Sequence, residues 1–295
     1  MPAGVDRPVV VGVDGVRGRL ATIDLGAAEA RRRGAELVVA HVWPGRYAGP
    51  FRGGSGPLPT EQDGAHLLEL AAQRARRTGP DVRIRTALLP GAPADQLARL
   101  SAQAQLLVVG HRDDVLTRHG WGSTAAYLAH HSACPLLVDR GHEHADGPVV
   151  VAVSAREPAS PTVACAFEEA DLRGAAMIAV HVWAAPPGGT GSALPPRPTG
   201  YAAARDEAER MLAEALAGWS AQYPDVTVQR LTLHDLDVAY TIDRASQRGS
   251  LLVAGAGRTR RMAELLYGSL GRALLRTSSC PVLLVPPGRP AALAG

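Results

Sequence analysis

The chain has 295 residues, 46% of them hydrophobic, which suffices for two packed cores at about 100–200 residues per domain. Its formal net charge of +3 and pI near 9.0 rest on arginines, with no lysine at all, and the arginines are scattered, as at Arg31, Arg32 and Arg33. With aromatics at 4% and no long basic run, the stripe of charge and stacking rings that nucleic-acid binding needs is missing. Cys134, Cys165 and Cys280 form no CxxC pair, which argues against a disulfide framework and for a reduced, cytoplasmic setting. No basic-then-apolar leader opens the chain, and no apolar run reaches the roughly 18 residues of a membrane span. Abundant Ala, Gly and Arg without Lys points to a GC-rich, bacterial genome.

In chain order, short apolar runs alternate with amphipathic segments. Val9 to Val13, Glu36 to Val42, Val82 to Leu88, Leu106 to Val109 and Leu136 to Val138 read as strands. Their nearly unbroken apolar character suits a sheet buried on both faces. Gly18 to Arg33, Thr60 to Thr78, Ala94 to Gln103 and Ser123 to His131 read as helices, the first stopped by Gly34. A second set follows. Val9-Val10-Val11-Gly12-Val13 recurs as Val149-Val150-Val151-Ala152-Val153, and His41-Val42-Trp43 as His181-Val182-Trp183. Leu106 to Gly110 recurs as Leu251 to Gly255, Gly122-Ser123 as Gly268-Ser269, and Cys134 to Val138 as Cys280 to Val285. Five blocks in one order mean a duplicated domain. The first copy spans 1–142 and the second 146–288, joined by a polar stretch between Arg140 and Gly147, with 289–295 expected as a disordered tail. In the second copy, Tyr201 to Trp219 reads as one helix with Met211, Leu212, Ala215, Leu216 and Trp219 along one side. Strands alternating with helices imply parallel βαβ units, hence an α/β fold of two tandem doubly wound domains, each with a five-stranded parallel sheet flanked by helices. Pro44 to Pro59 and Ala184 to Gly200, rich in Gly and Pro, are long connections of the kind that serve as lids or stay disordered.

In an open parallel sheet, ligands bind beyond the carboxyl ends of the strands, where the strand order reverses. Those ends carry Val13-Asp14-Gly15 and Gly110-His111-Arg112, with Gly122-Ser123-Thr124 opening the last helix of the first copy. Asp14 can accept hydrogen bonds from ribose hydroxyls, Gly110 lets backbone approach a phosphate, and Gly122-Ser123 offers N–H groups and a hydroxyl at a helix start. Together they make a nucleotide site. The plainer readings are a turn cap for Asp14 and an N-cap for Ser123. Gly12, Gly15 and Gly18 do not have dinucleotide-site spacing.

Val11-Gly12-Val13-Asp14-Gly15, His41-Val42-Trp43, Leu107-Val108-Val109-Gly110, and Gly122-Ser123 followed by Ala133-Cys134-Pro135-Leu136-Leu137-Val138 resemble the universal stress protein family. The second copy resembles it through His181-Val182-Trp183, Gly255, Gly268-Ser269 and Cys280-Pro281. The resemblance implies ATP or a related adenine nucleotide held by Val13, Asp14, Gly15, Val42, Val109, Gly110, Arg112, Gly122, Ser123 and Thr124, and less completely by Gly255, Arg258, Gly268 and Ser269. It also implies an intramolecular pseudo-dimer through the last strands, Leu136-Leu137-Val138 and Val282-Leu283-Leu284-Val285, with a homodimer as a further form. Both copies depart from the family's Gly-x2-Gly-x9-Gly-Ser/Thr pattern. Asp113 and Arg258 stand at the second glycine, and the spacer before Gly122 is one residue short. Ser154 replaces the acidic residue of the first strand, and Ala125 and Gly271 stand where the family tends to carry a second hydroxyl.

His130-His131 and His142/His144 lack companion ligands, so no metal is expected beyond Mg accompanying nucleotide. Cys134 and Cys280 suit small core residues, His41 and His181 structural or pocket-lining positions, and Glu168 and Glu169 exposed helix charge. No nucleophile elbow, Walker lysine or HExxH pair is present, so no catalytic residue is assigned; weak ATP hydrolysis would need a metal and a water-positioning group. The expected function is a stress-response module that binds nucleotide and an unidentified protein partner. The alternative is a nucleotide-independent scaffold, for which Asp113, Arg258 and Ser154 argue.

Overall fold

The computed structural model describes residues 7–14, 20–43, 60–111, 124–140, 146–154, 160–183, 198–256 and 270–287. Gly15, Arg112, Asp113, Gly122, Ser123, Arg258, Gly268, Ser269, His142 and His144 lie outside the described residues, as do 44–59, 184–197 and 288–295. The chain forms two compact units, Met1–Gly141 and His142–Gly295.

The first unit runs β1 (Val9–Val13), α1 (Leu20–Arg32), β2 (Leu37–Trp43), α2 (Glu61–Thr78), β3 (Ile84–Pro90), α3 (Pro93–Ser101), β4 (Leu106–Gly110), α4 (Thr124–His131) and β5 (Leu136–Asp139). Its strands are parallel, in the order β3-β2-β1-β4-β5. The second unit runs β6 (Val149–Ala152), α5 (Pro161–Arg173), β7 (Met177–Trp183), α6 (Pro198–Leu216), α7 (Trp219–Gln222), β8 (Val228–His234), α8 (Val238–Ser246), β9 (Leu251–Gly255), α9 (Leu270–Thr277) and β10 (Val282–Val285). Its parallel order, β10-β9-β6-β7-β8, repeats that of the first. The fold is thus α/β, two doubly wound parallel sheets flanked by helices.

Neighbouring residues of β1 show why helices cover both faces. Side chains alternate across a strand. A Cβ added at Gly12 would sit 3.0 Å from Leu97 Cδ1 of α3. On the opposite face, Val11 Cβ lies 3.0 Å from where Gly26 of α1 would carry a side chain. Two glycines therefore let α1 and α3 pack close to the same central strand. Both α1 and α5 end as expected of a glycine stop: Gly34 (φ 57°) and Gly174 (φ 58°) take left-handed backbone. The next amides, of Ala35 and Ala175, return to the carbonyls of Ala30 and Ala170 at 2.9 Å. Thr60 and Asp63 close a capping box at the start of α2.

Four details differ from the sequence reading. β3 starts at Ile84 because Val82 belongs to the turn after α2, its N–H bonded to the Gly79 carbonyl at 3.1 Å. β3 and β8 are the outermost strands on their sides and are half-exposed along their length, not buried on both faces. The helix read from Tyr201 to Trp219 begins at Pro198, so 198–200 are helical, and it breaks at Gly218, whose φ of 85° ends α6 before the short α7. Glu169 is buried at 4% exposure instead of facing solvent, while Glu168 is half-buried. The inner face of α5 passes through Glu169, and Arg173, one turn later, supplies its counter-charge. Glu29 is likewise buried in α1 and bonded by Arg32 and Arg33.

Candidate functional site

The chain leaves β1 toward β2 and β3 on one side, and later fills β4 and β5 on the other. The order therefore reverses between β1 and β4. Their register runs from Val9 opposite Leu106 to Gly12 opposite Val109. Continued by one residue, it brings Val13 and Gly110 side by side at the carboxyl ends, with Asp14 just beyond. This is the crevice where doubly wound sheets bind ligands. Val13, Asp14 and Gly110 are half-buried there, while Val42 and Val109 are buried beneath them. Thr124 is half-buried at the first turn of α4, and Ala125 beside it is buried.

Side chains hold this end of the sheet. His41 Nδ1–H donates to the Val13 carbonyl at 2.9 Å, which fixes the tautomer and ties β2 to the residue before Asp14. His41 also backs α2: a Cβ added at Gly64 would lie 3.1 Å from its Cδ2 and 2.9 Å from Leu88 Cδ1. On the β4 side, Thr22 Oγ1–H donates to Asp139 Oδ2 at 2.7 Å, and the His111 amide donates to the Asp139 carbonyl at 3.2 Å. Sequence reasoning did not find Thr22 or Asp139; a bond spanning 117 positions leaves no local pattern.

The second unit repeats part of this. His181 Nδ1–H donates to the Val153 carbonyl at 3.0 Å. Ser154 is exposed where Asp14 stands in the first unit. Val285 pairs with Gly255 as Asp139 pairs with Gly110, so the carboxylate is replaced by an apolar side chain. A Cβ at Gly255 would lie 3.2 Å from Thr162 Oγ1. In this unit the glycine's small size therefore makes room for the first turn of α5, which Ser160 caps through the Thr162 amide.

Other groups were expected to have plainer roles. Cys134, Cys165 and Cys280 are buried, and burial pushes the Cys280 thiol up from its ordinary value. His131 stacks on Tyr127, centroids 3.9 Å apart, and among the described residues no cluster of three or more His, Cys, Asp or Glu could hold a metal ion. No helix among them is long and apolar enough to cross a membrane. In the second unit a shallow cavity of about 400 Å³ lies between β8 and α8, lined by Leu231, Leu233, Asp235, Tyr240, Thr241 and Arg244. Its carboxylate is occupied internally. The Thr241 hydroxyl (2.7 Å) and the Asp237 amide (3.0 Å) donate to Asp235 and hold its carboxyl below the usual range.

Comparison with known proteins matches this architecture. The model of the universal stress protein family fits residues 7–140 and again 147–286. A universal stress protein of Mycobacterium tuberculosis is 29% identical over 302 residues, covering 94% of this chain and 96% of its own. The crystal structure of a universal stress protein from Archaeoglobus fulgidus superposes with a TM-score of 0.68 at 14% identity, covering 96% of this chain and 97% of its own, a likeness of fold. A shorter chain, described as a universal stress protein in complex with cAMP, is 26% identical and covers 45% of this chain and 96% of its own, with a TM-score of 0.36. With the family model matched twice and both sheets wound alike, the chain belongs to the universal stress protein family, a family of stress-response proteins, and carries two of its domains in tandem.

Proposed function

We propose that the protein is a regulatory module that binds ATP or a related adenine nucleotide, chiefly in its first unit, and answers by changing its affinity for a protein partner. One observation carries the reading: a carboxylate, Asp14, and a glycine, Gly110, end adjacent parallel strands at the reversal of strand order. Asp14 accepts hydrogen bonds from the ribose hydroxyls, and the bare backbone at Gly110 admits the first phosphate. Thr124 adds a hydroxyl at the start of α4. Gly15, Arg112, Gly122 and Ser123 complete the set on sequence grounds, and Mg enters only with the nucleotide. No residue is assigned to bond breaking. Ligand shifts the module only so far as it binds two states unequally.

The second unit favours a different role. Ser154 supplies no carboxylate and Gly255 is crowded by Thr162, which suits a scaffold domain that works without nucleotide. Mass spectrometry of nucleotide released from fresh protein, with calorimetric ATP titration of wild type and Asp14→Ala, tests the reading. Saturable binding lost in Asp14→Ala supports it. No released nucleotide and no heat at millimolar ATP leaves a nucleotide-independent scaffold.

A further inference from the structure

The first helix of each unit touches its last strand, but only in the first unit do the described residues join them by a side-chain hydrogen bond. Asp139 ends β5 at 9% exposure, and Thr22, at 4%, sits in the first turn of α1. The hydroxyl donates to the carboxylate at 2.7 Å. Helix α1 covers β1 and β4 and reaches β5 at this end. Asp139 is the register partner of Gly110. Its carbonyl also receives the His111 amide, so one residue bonds both the α1 side and the β4 side of the crevice.

The second unit shows what the same frame does without the carboxylate. Val285 occupies the place of Asp139, opposite Gly255. Thr162 stands in the first turn of α5 as Thr22 does in α1, with its hydroxyl packed over Gly255. A separate cap, Ser160, starts that helix, and Ser154 stands where Asp14 does in the first unit. The carboxylate lock and the carboxylate ribose anchor thus occur together in one copy and are absent together from the other.

We infer that Asp139 is a positioning residue for the first unit's crevice: through Thr22 it fixes the first turn of α1 against Gly110, and so sets the spacing between Asp14 and Gly110 that a nucleotide must span. This rests on the nucleotide reading for its ligand, but not for its mechanical content. His41 holds the residue before Asp14 from the β2 side, and the Thr22–Asp139 bond holds the chain again where α1 begins. Val13 and the first turn of α1 are therefore each held by a side-chain hydrogen bond. A buried hydrogen bond to a charged acceptor is strong enough to hold such a spacing against thermal motion.

The test uses the full chain and three variants: Thr22→Val, Thr22→Ser and Asp139→Val, the last installing the second unit's residue. ATP with Mg is titrated calorimetrically, and amide exchange at Asp14 and His111 is followed in the same samples without nucleotide. Thr22→Val and Asp139→Val are expected to weaken ATP binding about tenfold, the size of one hydrogen bond to a charged group, and to speed exchange at both amides. Thr22→Ser restores the donor and is expected to stay within about twofold of wild type. A lowered melting temperature with unchanged affinity and unchanged exchange would overturn the inference, since a merely structural bond gives that result. If wild type binds no ATP but both Val variants still speed exchange at Asp14 and His111, the lock stands and the nucleotide reading falls.

Discussion

Replacing Asp24 with Asn tests how the outer helices of the first unit are held. Asp24 of α1 accepts from Arg74 Nε at 2.8 Å and from Arg74 Nη2 at 2.6 Å, and from the Thr78 hydroxyl at 2.6 Å, all on α2. The hydrogen bond from Arg74 is the largest influence on its carboxyl and, with Thr78, holds it below the ordinary value of 3.8 despite opposition from partial burial. The side chains are 28% and 39% exposed, so solvent screens part of the gain. A two-pronged pair with a third donor should exceed an exposed ion pair and fall short of a buried one. We expect Asp24→Asn to cost about 1–2 kcal/mol at neutral pH, or about 3–6 °C in melting temperature. The sign with pH follows from the lowered carboxyl. A depressed folded value gives stability that is present above the unfolded value of about 3.9 and is lost as pH falls through the folded value. Urea and thermal melts of wild type, Asp24→Asn, Arg74→Ala and the double variant should show coupling at pH 7, and the gap between wild type and Asp24→Asn should close in acid. A gap that persists unchanged below the folded value, or effects that simply add, would refute the assignment of this stability to the ionised pair.

Two other substitutions probe features that recur or that bound the units. Arg173→Ala removes a cation from buried Glu169 and should destabilise the protein by about 2–4 kcal/mol in urea melts; a cost below about 1 kcal/mol would mean the carboxylate's other interactions satisfy it. Gly147→Ala drives a methyl into the Arg248 carbonyl and to 3.0 Å from the Ser250 amide, and should cost about 1–3 kcal/mol, whereas a free linker glycine would tolerate the change.

The repeat, the strand–helix alternation and the glycine stop at Gly34 carried the fold into plain view of the sequence, because each is written within a few residues. The place of Asp14 and Gly110 at the carboxyl ends of neighbouring strands was legible for the same reason: both follow apolar runs that end in polar or glycine residues. What escaped were contacts made by the third dimension. Thr22 and Asp139 meet only because α1 crosses β4, and nothing local to either residue records it. Glu29–Arg33 and Glu169–Arg173 did leave a signal, a Glu and an Arg four apart at corresponding places in both copies. On a helix that spacing usually marks a solvated pair, and only the alanines around it, Ala27, Ala30, Ala166 and Ala170, told of an inward face. Gly147 read as linker because glycine suits a linker; its packing against 248–250 depends on a segment a hundred residues away.

The central claim is that one of two like-folded units keeps a nucleotide site. The stoichiometry of ATP binding to the full chain, measured by equilibrium titration at protein concentrations well above the dissociation constant, tests it most directly. One site per chain, absent in Asp14→Ala, is the predicted result. Two equivalent sites, or a single site untouched by Asp14→Ala, would contradict it.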